Sequence, residues 1–119
     1  MPENSILPQE VKNKYSKDIA FLRKCAQSGH IKISSHCFEQ VSQRHIRIRD
    51  VFDSIKKGIV IEVQSKERDT KVLFQDCSNN PPYFFVAVAI KSSMGLCVTA
   101  YLPDPDIWVL GPDNQWRRK

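Results

Sequence analysis

The beginning of the chain has the periodicity of an amphipathic helix. Apolar residues that recur every three or four positions would share one face of a helix. They are Leu7, Val11, Tyr15, Ile19, Leu22 and Ala26. Pro8 suits the first turn of such a helix, and Ser28-Gly29 is typical of its end. The pattern therefore predicts a helix over residues 7–27.

A second helix is predicted over residues 35–44. Ser34-Ser35 offers an N-cap for it, because a serine hydroxyl can accept a hydrogen bond from a free backbone N–H of the first turn. A short extended piece with Ile31 and Ile33 precedes this helix. Three residues are expected to supply its core contact: Cys37, Phe38 and Val41.

A third helix is predicted over residues 49–57, with Val51, Phe52 and Ile55 turned inward. Gly58 follows directly and is expected to end the helix as its C′ residue, since glycine adopts the left-handed conformation at that position without strain. The helical part of the chain would then stop at residue 58.

Beyond Gly58 the pattern changes to β-rich runs over residues 59–63, 71–75, 83–90 and 96–102. Short polar stretches at residues 66–69, 79–82 and 92–95 connect them, and such short connections favour antiparallel hairpins. Helices followed by strands indicate an α+β fold. We expect N-terminal helices packed on a four-stranded, mainly antiparallel β-sheet.

The length of 119 residues suits one compact domain. We divide it into an N-terminal helical extension (residues 1–30), an α+β domain (31–110) and a basic tail (111–119) whose last three residues form a loose stub. Trp108 and Trp116 are expected to fold the tail back onto the sheet. The longest apolar run, residues 83–90, is too short to span a membrane, and residues 1–5 lack the pattern of an export signal. The expected location is cytoplasmic.

Positive charge is concentrated in the predicted helices. Residues 10–57 contain eleven Lys or Arg and five Asp or Glu, whereas the remaining residues sum to a slightly negative charge. Clustered positive charge attracts phosphate backbones at long range. The concentration indicates a polyanionic or acidic partner, and a merely solvated helix surface is the alternative.

The four cysteines are far apart in the chain and include no C-x-x-C pair of the kind found in zinc ribbons and redox motifs. We interpret Cys25, Cys37, Cys77 and Cys97 as reduced thiols, mostly in the core. A metal site or a disulfide network is the less favoured alternative. We predict no metal and no cofactor.

The second helix also carries a candidate site. His36, Gln40 and Arg44 are spaced four residues apart and would share one face. A histidine exchanges a proton near neutral pH, and an arginine can hold a phosphate through two parallel contacts. Together these groups suit cleavage of a phosphodiester. The alternative is that they form the hydrated side of an amphipathic helix.

The last predicted strand adds further polar groups. Because side chains alternate along a strand, Cys97, Thr99 and Tyr101 would share the face opposite Leu96, Val98, Ala100 and Leu102. Hydroxyl groups can bind a phosphate or a ribose, and a tyrosine ring can stack on a base. The alternative is ordinary β-favouring residues on a half-exposed sheet. His45 and Arg47 are secondary candidates for phosphate contact.

These stretches together resemble a known pattern. Residues 36–46, then Val51 to Gly58, then Val98-Thr99-Ala100-Tyr101 are similar to a small prokaryotic domain family of unknown function with the motif S-x-H-A-x-x-R-M-x-x-R-G-I and a closing T-x-Y. That family resembles the RelE-like ribonuclease toxins, whose fold group includes barnase-like and colicin-type enzymes. Two positions depart from the motif: Gln40 stands where its first Arg is usual, and His45 stands where its Gly is usual.

The resemblance implies a metal-independent endoribonuclease of toxin type that acts on RNA, in some cases on the ribosome, and is held in check by an antitoxin protein. The resemblance carries over to His36, Arg44, Thr99 and Tyr101. We expect His36, Arg44 and Tyr101 to be catalytic, and we expect Gln40, His45, Thr99 and Arg47 to bind the substrate. The alternative hypothesis is a non-catalytic module that binds RNA or a protein through the same fold, and the replacement of the motif Arg by Gln40 favours it.

Overall fold

The computed structural model describes residues 7–65 and 69–119. Within these residues the chain forms three helices, α1 (Gln9–Ser28), α2 (Ser35–Gln43) and α3 (Ile48–Lys57). The strands of the same residues are β1 (Ile31–Ile33), β2 (Val60–Gln64), β3 (Lys71–Gln75), β4 (Phe85–Lys91), β5 (Met94–Tyr101), β6 (Trp108–Leu110) and β7 (Trp116–Arg118). The predicted α+β class is confirmed. Residues 1–5, and most of the turn predicted at residues 66–69, lie outside the described residues.

The main sheet has five strands in the described residues, in the order β1-β5-β4-β3-β2. The prediction of four strands lacked β1. Three of the sheet's four strand pairings are antiparallel, and the additional strand β1 pairs in parallel with β5. The backbone N–H of Gly95 donates to the carbonyl oxygen of His30, and that of Ser34 donates to Cys97, at 3.0 Å each. These bonds hold the short extended piece to the edge of the sheet.

Local sequence signals set the ends of the helices. Gly29 follows α1 in the left-handed conformation at φ 79°, as predicted. The hydroxyl of Ser34 accepts from the backbone N–H of Cys37 at 3.0 Å and caps α2. Gly58 also follows its helix, but its φ of −73° is an ordinary one. A glycine is needed there for another reason, since a Cβ would collide with the carbonyl oxygens of Ser54 and Gln75.

The main core lies between the three helices and one face of the sheet. Helix α1 contributes Leu22 and Cys25 to it, and α3 contributes Val51 and Ile55. Arg23 of α1 also donates to the carbonyl oxygens at the end of α3, Ile55 at 3.1 Å and Gly58 at 2.9 Å. Helix α1 is therefore packed into the same core as the α+β domain.

The opposite face of the sheet is covered by the last part of the chain. The prediction of a loose terminal stub is wrong, because β7 pairs with β6 in an antiparallel hairpin. The expected contact of the tryptophans with the sheet is confirmed: the rings of Trp108 and Trp116 lie 4.8 and 6.2 Å from that of Phe85. Arg118 forms an ion pair with Glu62 and lies over the ring of Trp108.

A bulge interrupts the alternation of side chains in β5. Cys97 pairs with Val88 and Thr99 pairs with Ala87, so the register shifts at the residue between them, Val98. As a result Cys97 and Ala100 lie on the helix side of the sheet, whereas Val98 and Tyr101 lie on the hairpin side. The prediction that Cys97, Thr99 and Tyr101 share one face is therefore wrong.

All four cysteines are free thiols, as predicted, and Cys77 is exposed while the other three are buried. Burial raises the pKa of the Cys37 thiol to about 11, and it raises that of Cys97 still further. In the part of the chain that the structure describes, no helix has the length and apolar character needed to cross a membrane.

Candidate functional site

Helix α2 lies along the part of the β5 edge that β1 leaves open. Strand β1 pairs with β5 only from Gly95 to Cys97. Farther along β5, the backbone N–H and C=O of Ala100 point away from β4 and toward the helix, where side chains of α2 bind them. Ser34 covers the segment in between, as its hydroxyl donates to the carbonyl oxygen of Val98 at 3.3 Å.

Gln40 and Arg44 take the place of a neighbouring strand. The side-chain oxygen of Gln40 accepts from the backbone N–H of Ala100 at 2.9 Å and from the hydroxyl of Thr99 at 2.7 Å. The Nη1 of Arg44 donates to the carbonyl oxygen of Ala100 at 3.1 Å. One donor and one acceptor of the open strand are thereby satisfied. The structure thus brings Gln40, Arg44 and Thr99 together at the C-terminal half of β5.

His36 lies one helical turn before Gln40, at the exposed start of α2. No hydrogen bond of its ring is recorded among residues 7–65 and 69–119. Its neighbour Phe38 is 56% exposed, so the prediction that Phe38 contacts the core is wrong. Cys37 and Val41 alone are the buried residues of this helix. The start of α2 therefore offers an imidazole and an aromatic ring to solvent.

Tyr101 does not join this group. Its ring packs edge-on against Phe85, with ring centres 5.4 Å apart, on the hairpin side of the sheet. Burial raises the pKa of Tyr101 to about 12, and the negative charge of nearby Glu62 makes a smaller contribution in the same direction. The bulge at Val98 places Tyr101 on the side of the sheet opposite Cys97, whereas Thr99 and Tyr101 pair in regular register with Ala87 and Phe85. Thr99 joins the group through its hydrogen bond to Gln40, and Tyr101 packs against Phe85 instead.

His45 and Arg47 lie in the connection between α2 and α3. His45 is exposed and has a φ of 55°, the left-handed region that glycine adopts most readily. The Nε of Arg47 lies 3.4 Å from a carboxylate oxygen of Asp50, and its side chain is 70% exposed. These two residues line a surface pocket of about 230 Å³ that also includes Asn79 and Tyr83.

The loop after β3 forms the other wall of this pocket. From its sequence this loop was predicted only as a turn. Asp76 is buried, and its carboxylate accepts from the backbone N–H of Ser78 at 2.7 Å, the side chain of Asn79 at 2.8 Å and the backbone N–H of Tyr83 at 2.9 Å. The phenol of Tyr83 donates to the carbonyl oxygen of Arg44 at 3.1 Å. The signal that could have found this loop is an aspartate two residues before a serine, the pattern of an Asx turn.

Cations differ in their pairing between the two parts of the molecule. Lys91, Arg117 and Arg118 of the sheet and hairpin each form an ion pair with a carboxylate. Several exposed cations of α1, β1 and α3 have no ion pair recorded within the described residues: Lys14, Lys17, Lys24, Lys32 and Arg49. These five cations are thus available to a ligand.

The described residues contain no group of three or more His, Cys, Asp or Glu side chains arranged to hold a metal ion. The polar groups that the structure does assemble are an amide, a guanidinium and a hydroxyl between α2 and β5, with an exposed imidazole one turn away.

Comparison with known proteins gives one match. The sequence model of a family described as a domain of unknown function, DUF4258, matches residues 33–110, from the end of β1 to the end of β6. It therefore spans α2, α3 and the strands that they pack against. No curated protein and no solved structure matches the chain.

Proposed function

Because the chain belongs to DUF4258, a family whose function is unknown, we propose its function from its own surface: it binds single-stranded RNA through the helical layer. The helical layer is the exposed surface of α1, β1, α2 and α3, of the α2–α3 connection (residues 44–47) and of Tyr83, whose phenol contacts that connection. Binding of this kind needs cations for the phosphate backbone and exposed rings on which unpaired bases can stack.

The unpaired cations of the helical layer carry this proposal. A lysine or arginine that already faces a carboxylate has less to gain from a phosphate, whereas an unpaired one can displace condensed counterions from a nucleic acid and gain affinity. Lys32 and Arg49 are exposed and without a recorded ion pair in the described residues. Arg47 has only a long contact with Asp50 and keeps most of its side chain in solvent.

Exposed aromatic rings support RNA as the polyanion. Phe38 is 56% exposed and Tyr83 is 43% exposed, so each offers part of an aromatic ring to solvent. His36 and His45 are exposed on the same α2–α3 region. Proteins that read unpaired RNA use such rings to stack splayed bases.

Cleavage of the bound RNA is a second proposal, favoured by the exposed imidazole of His36. In that reaction His36 would accept the proton of a ribose 2′-hydroxyl as its oxygen attacks the adjacent phosphorus, and a guanidinium nitrogen of Arg44 would stabilise the developing charge. The bond from phosphorus to the 5′-oxygen would break, and the leaving 5′-oxygen would take a proton from solvent water. Gln40 and Thr99 would act by holding Arg44 and the strand in place. Tyr101 is left out of this proposal, because its ring lies on the hairpin side of the sheet.

Together with RNA cleavage we propose that the fold is RelE-like. The support for this proposal is that α2 and β5, which carry the motif positions His36, Gln40, Arg44 and Thr99, lie side by side. If the protein is a toxin of this class, an antitoxin protein would be its partner and the cytoplasm its place of action. Neither expectation is needed for RNA binding.

The test of binding is the affinity for a fluorescently labelled oligouridine RNA as a function of salt concentration. We expect the logarithm of the association constant to fall linearly with the logarithm of salt, with a slope of about −0.7 for each phosphate contacted. An affinity that does not change with salt, or no binding at low salt, would contradict the proposal.

The test of cleavage is incubation of the same RNA with the protein in EDTA, followed by separation of the products. We expect products that end in a 2′,3′-cyclic phosphate, and we expect His36→Ala to abolish them while RNA affinity stays within a factor of a few. Arg44→Lys is the second variant, since it keeps a donor for Ala100. Undiminished cleavage by both variants would refute the assignment, and intact RNA with salt-dependent binding would leave the non-catalytic form of the function.

A further inference from the structure

A pocket lies between the α2–α3 connection and the loop after β3. Its volume of about 230 Å³ corresponds to about eight water molecules at ~30 Å³ each. Its walls come from two segments that are far apart in the sequence, residues 45–50 and residues 79–84. Such a pocket can accept one small planar group.

Both walls are held firmly. Tyr83 is fixed at its two ends, since its backbone N–H donates to the buried carboxylate of Asp76 and its phenol donates to the carbonyl oxygen of Arg44. Its loop is also tied to the hairpin, where Trp116 donates to the carbonyl oxygen of Pro82 at 3.0 Å. A ring fixed in this way, yet 43% exposed, is available for stacking at little cost in conformational entropy.

The opposite wall supplies charge and hydrogen-bonding groups. Arg47 has a side chain that is 70% exposed, and its Nε keeps only a 3.4 Å contact with Asp50. The imidazole of His45 is exposed on the same connection. On the Tyr83 side of the pocket, Asn79 is anchored to Asp76 by its amide nitrogen, so its position is fixed as well. An aromatic platform opposite a guanidinium suits a flat base joined to a phosphate.

We propose that this pocket binds one unpaired nucleotide of RNA, with the base stacked on Tyr83 and the adjacent phosphate held by Arg47 and His45. The inference rests on the proposed RNA-binding function and adds the place where a base is bound. The pocket would contribute to RNA affinity in two ways. Stacking on Tyr83 needs a base, whereas the contact of Arg47 and His45 with a phosphate does not.

The experiment measures the affinities of wild type, Tyr83→Leu, Tyr83→Phe and Arg47→Gln for three probes at one salt concentration. The probes are a labelled oligouridine RNA, an abasic oligoribonucleotide of the same length and charge, and uridine monophosphate. Stacking of one base on an aromatic ring corresponds to about 5- to 150-fold in affinity. We expect Tyr83→Leu to weaken oligouridine binding about tenfold and to leave abasic RNA unchanged.

The other variants are matched to this one. Tyr83→Phe keeps the ring and should bind oligouridine within about twofold of wild type, which also shows that loss of the Arg44 contact is not the cause. Arg47→Gln should weaken both RNA probes by the same factor, because it removes a phosphate contact. Uridine monophosphate should shift the NMR resonances of Tyr83 and His45 and of few other residues; shifts elsewhere instead would overturn the pocket assignment.

Equal affinity of Tyr83→Leu and wild type for oligouridine, with the salt dependence intact, would overturn the nucleotide pocket but leave RNA binding standing. Absence of RNA binding by wild type would overturn both. Circular dichroism of Tyr83→Leu controls for folding, and a protein that binds abasic RNA normally is folded by that measure as well.

Discussion

The two faces of the sheet use their charged residues in different ways. On the hairpin side, Arg118 pairs with Glu62 and lies over Trp108, and Arg117 pairs with Asp113. The Arg118 pair fastens the end of the chain to the sheet, and the Arg117 pair lies within the hairpin. On the helical side, exposed cations such as Lys32 and Arg49 have no ion pair recorded in residues 7–65 and 69–119.

This difference separates charge that serves the fold from charge that is available to a ligand. The helical side also contains polar residues that serve the fold, since Gln40 and Arg44 bind the backbone of Ala100. Sequence position alone does not distinguish them from their exposed neighbours. The two sides therefore differ in the partners of their charged side chains more than in total charge.

The largest effect is expected from removing charge on the helical side. We compare two triple variants that each remove three positive charges: Lys32→Gln with Arg47→Gln and Arg49→Gln, and Lys91→Gln with Arg117→Gln and Lys119→Gln. The first should weaken oligouridine binding about thirtyfold or more and lower the salt slope by about two, because each lost contact removes about 0.7.

The second triple variant is the control for net charge and should change the affinity less than about threefold. Fluorescence anisotropy over a range of salt concentrations measures both. Equal losses of affinity in the two triple variants would show that RNA responds to total charge, and the contrast between the two sides would then have no functional meaning.

The next effect concerns the fold-serving residues of the helical side. Gln40→Leu should lower the free energy of unfolding by about 1–3 kcal/mol, because the backbone N–H of Ala100 loses its acceptor and remains covered by α2. Urea denaturation measures the loss. Gln40→Glu retains an acceptor and should lose less, whereas Gln40→Arg restores the cation of the resembled motif but has only donors.

If Gln40→Leu is as stable as wild type, the hydrogen bonds to Thr99 and Ala100 contribute nothing measurable, and Gln40 would become available for a role in ligand binding. If Gln40→Arg is the more stable protein, the strand edge must find its acceptor elsewhere.

A smaller effect is expected on the hairpin side. Arg118→Gln should lower the free energy of unfolding by about 1 kcal/mol or less, because the Arg118 side of the ion pair with Glu62 is half exposed to solvent. The same variant should leave RNA affinity unchanged. Urea denaturation and anisotropy with one protein preparation test both statements, and a large loss of RNA affinity would place this cation with those of the helical layer.

The smallest effect is a pH dependence confined to the hairpin. Hydrogen bonds from Arg117 lower the pKa of Asp113 to about 2, below its ordinary value near 4. A lowered pKa means that the ionised carboxylate favours the folded hairpin, so this contribution is complete above pH about 4 and is lost as the pH falls through 2. An NMR titration of the Asp113 carboxyl group measures the midpoint, which Arg117→Gln should move upward; an unchanged midpoint would show that the pair does not form in solution.

Local signals in the sequence were sufficient for most of the fold. Ser34 marks the start of α2, Gly29 marks the end of α1, and the bounds of β3 agree with the prediction. These features depend on residues close together in the chain. The parallel pairing of β1 and the β6–β7 hairpin were missed, since each has three-residue strands whose pairing depends on partners distant in sequence or on a turn of polar residues.

The candidate site was predicted only in part. The spacing of Gln40 and Arg44 correctly places them on one side of α2, but periodicity carries no information about which backbone atoms they bind. The bulge at Val98 inserts one residue into the pairing of β5 with β4, and so Cys97 and Tyr101 lie on opposite sides of the sheet. A bulge changes neither hydrophobicity nor composition, which is why alternation along the strand predicted the wrong face.

The open half of the β5 edge has a consequence for colloidal behaviour. A strand edge with free backbone groups is a template on which a strand of another chain can add, and such addition leads to aggregation. Here Gln40 and Arg44 bind the backbone groups of Ala100, so α2 shields this part of the strand edge. Partial detachment of α2 on heating would uncover a short template next to the apolar residues of the core, and the onset of aggregation should follow the stability of this one helix before that of the whole domain.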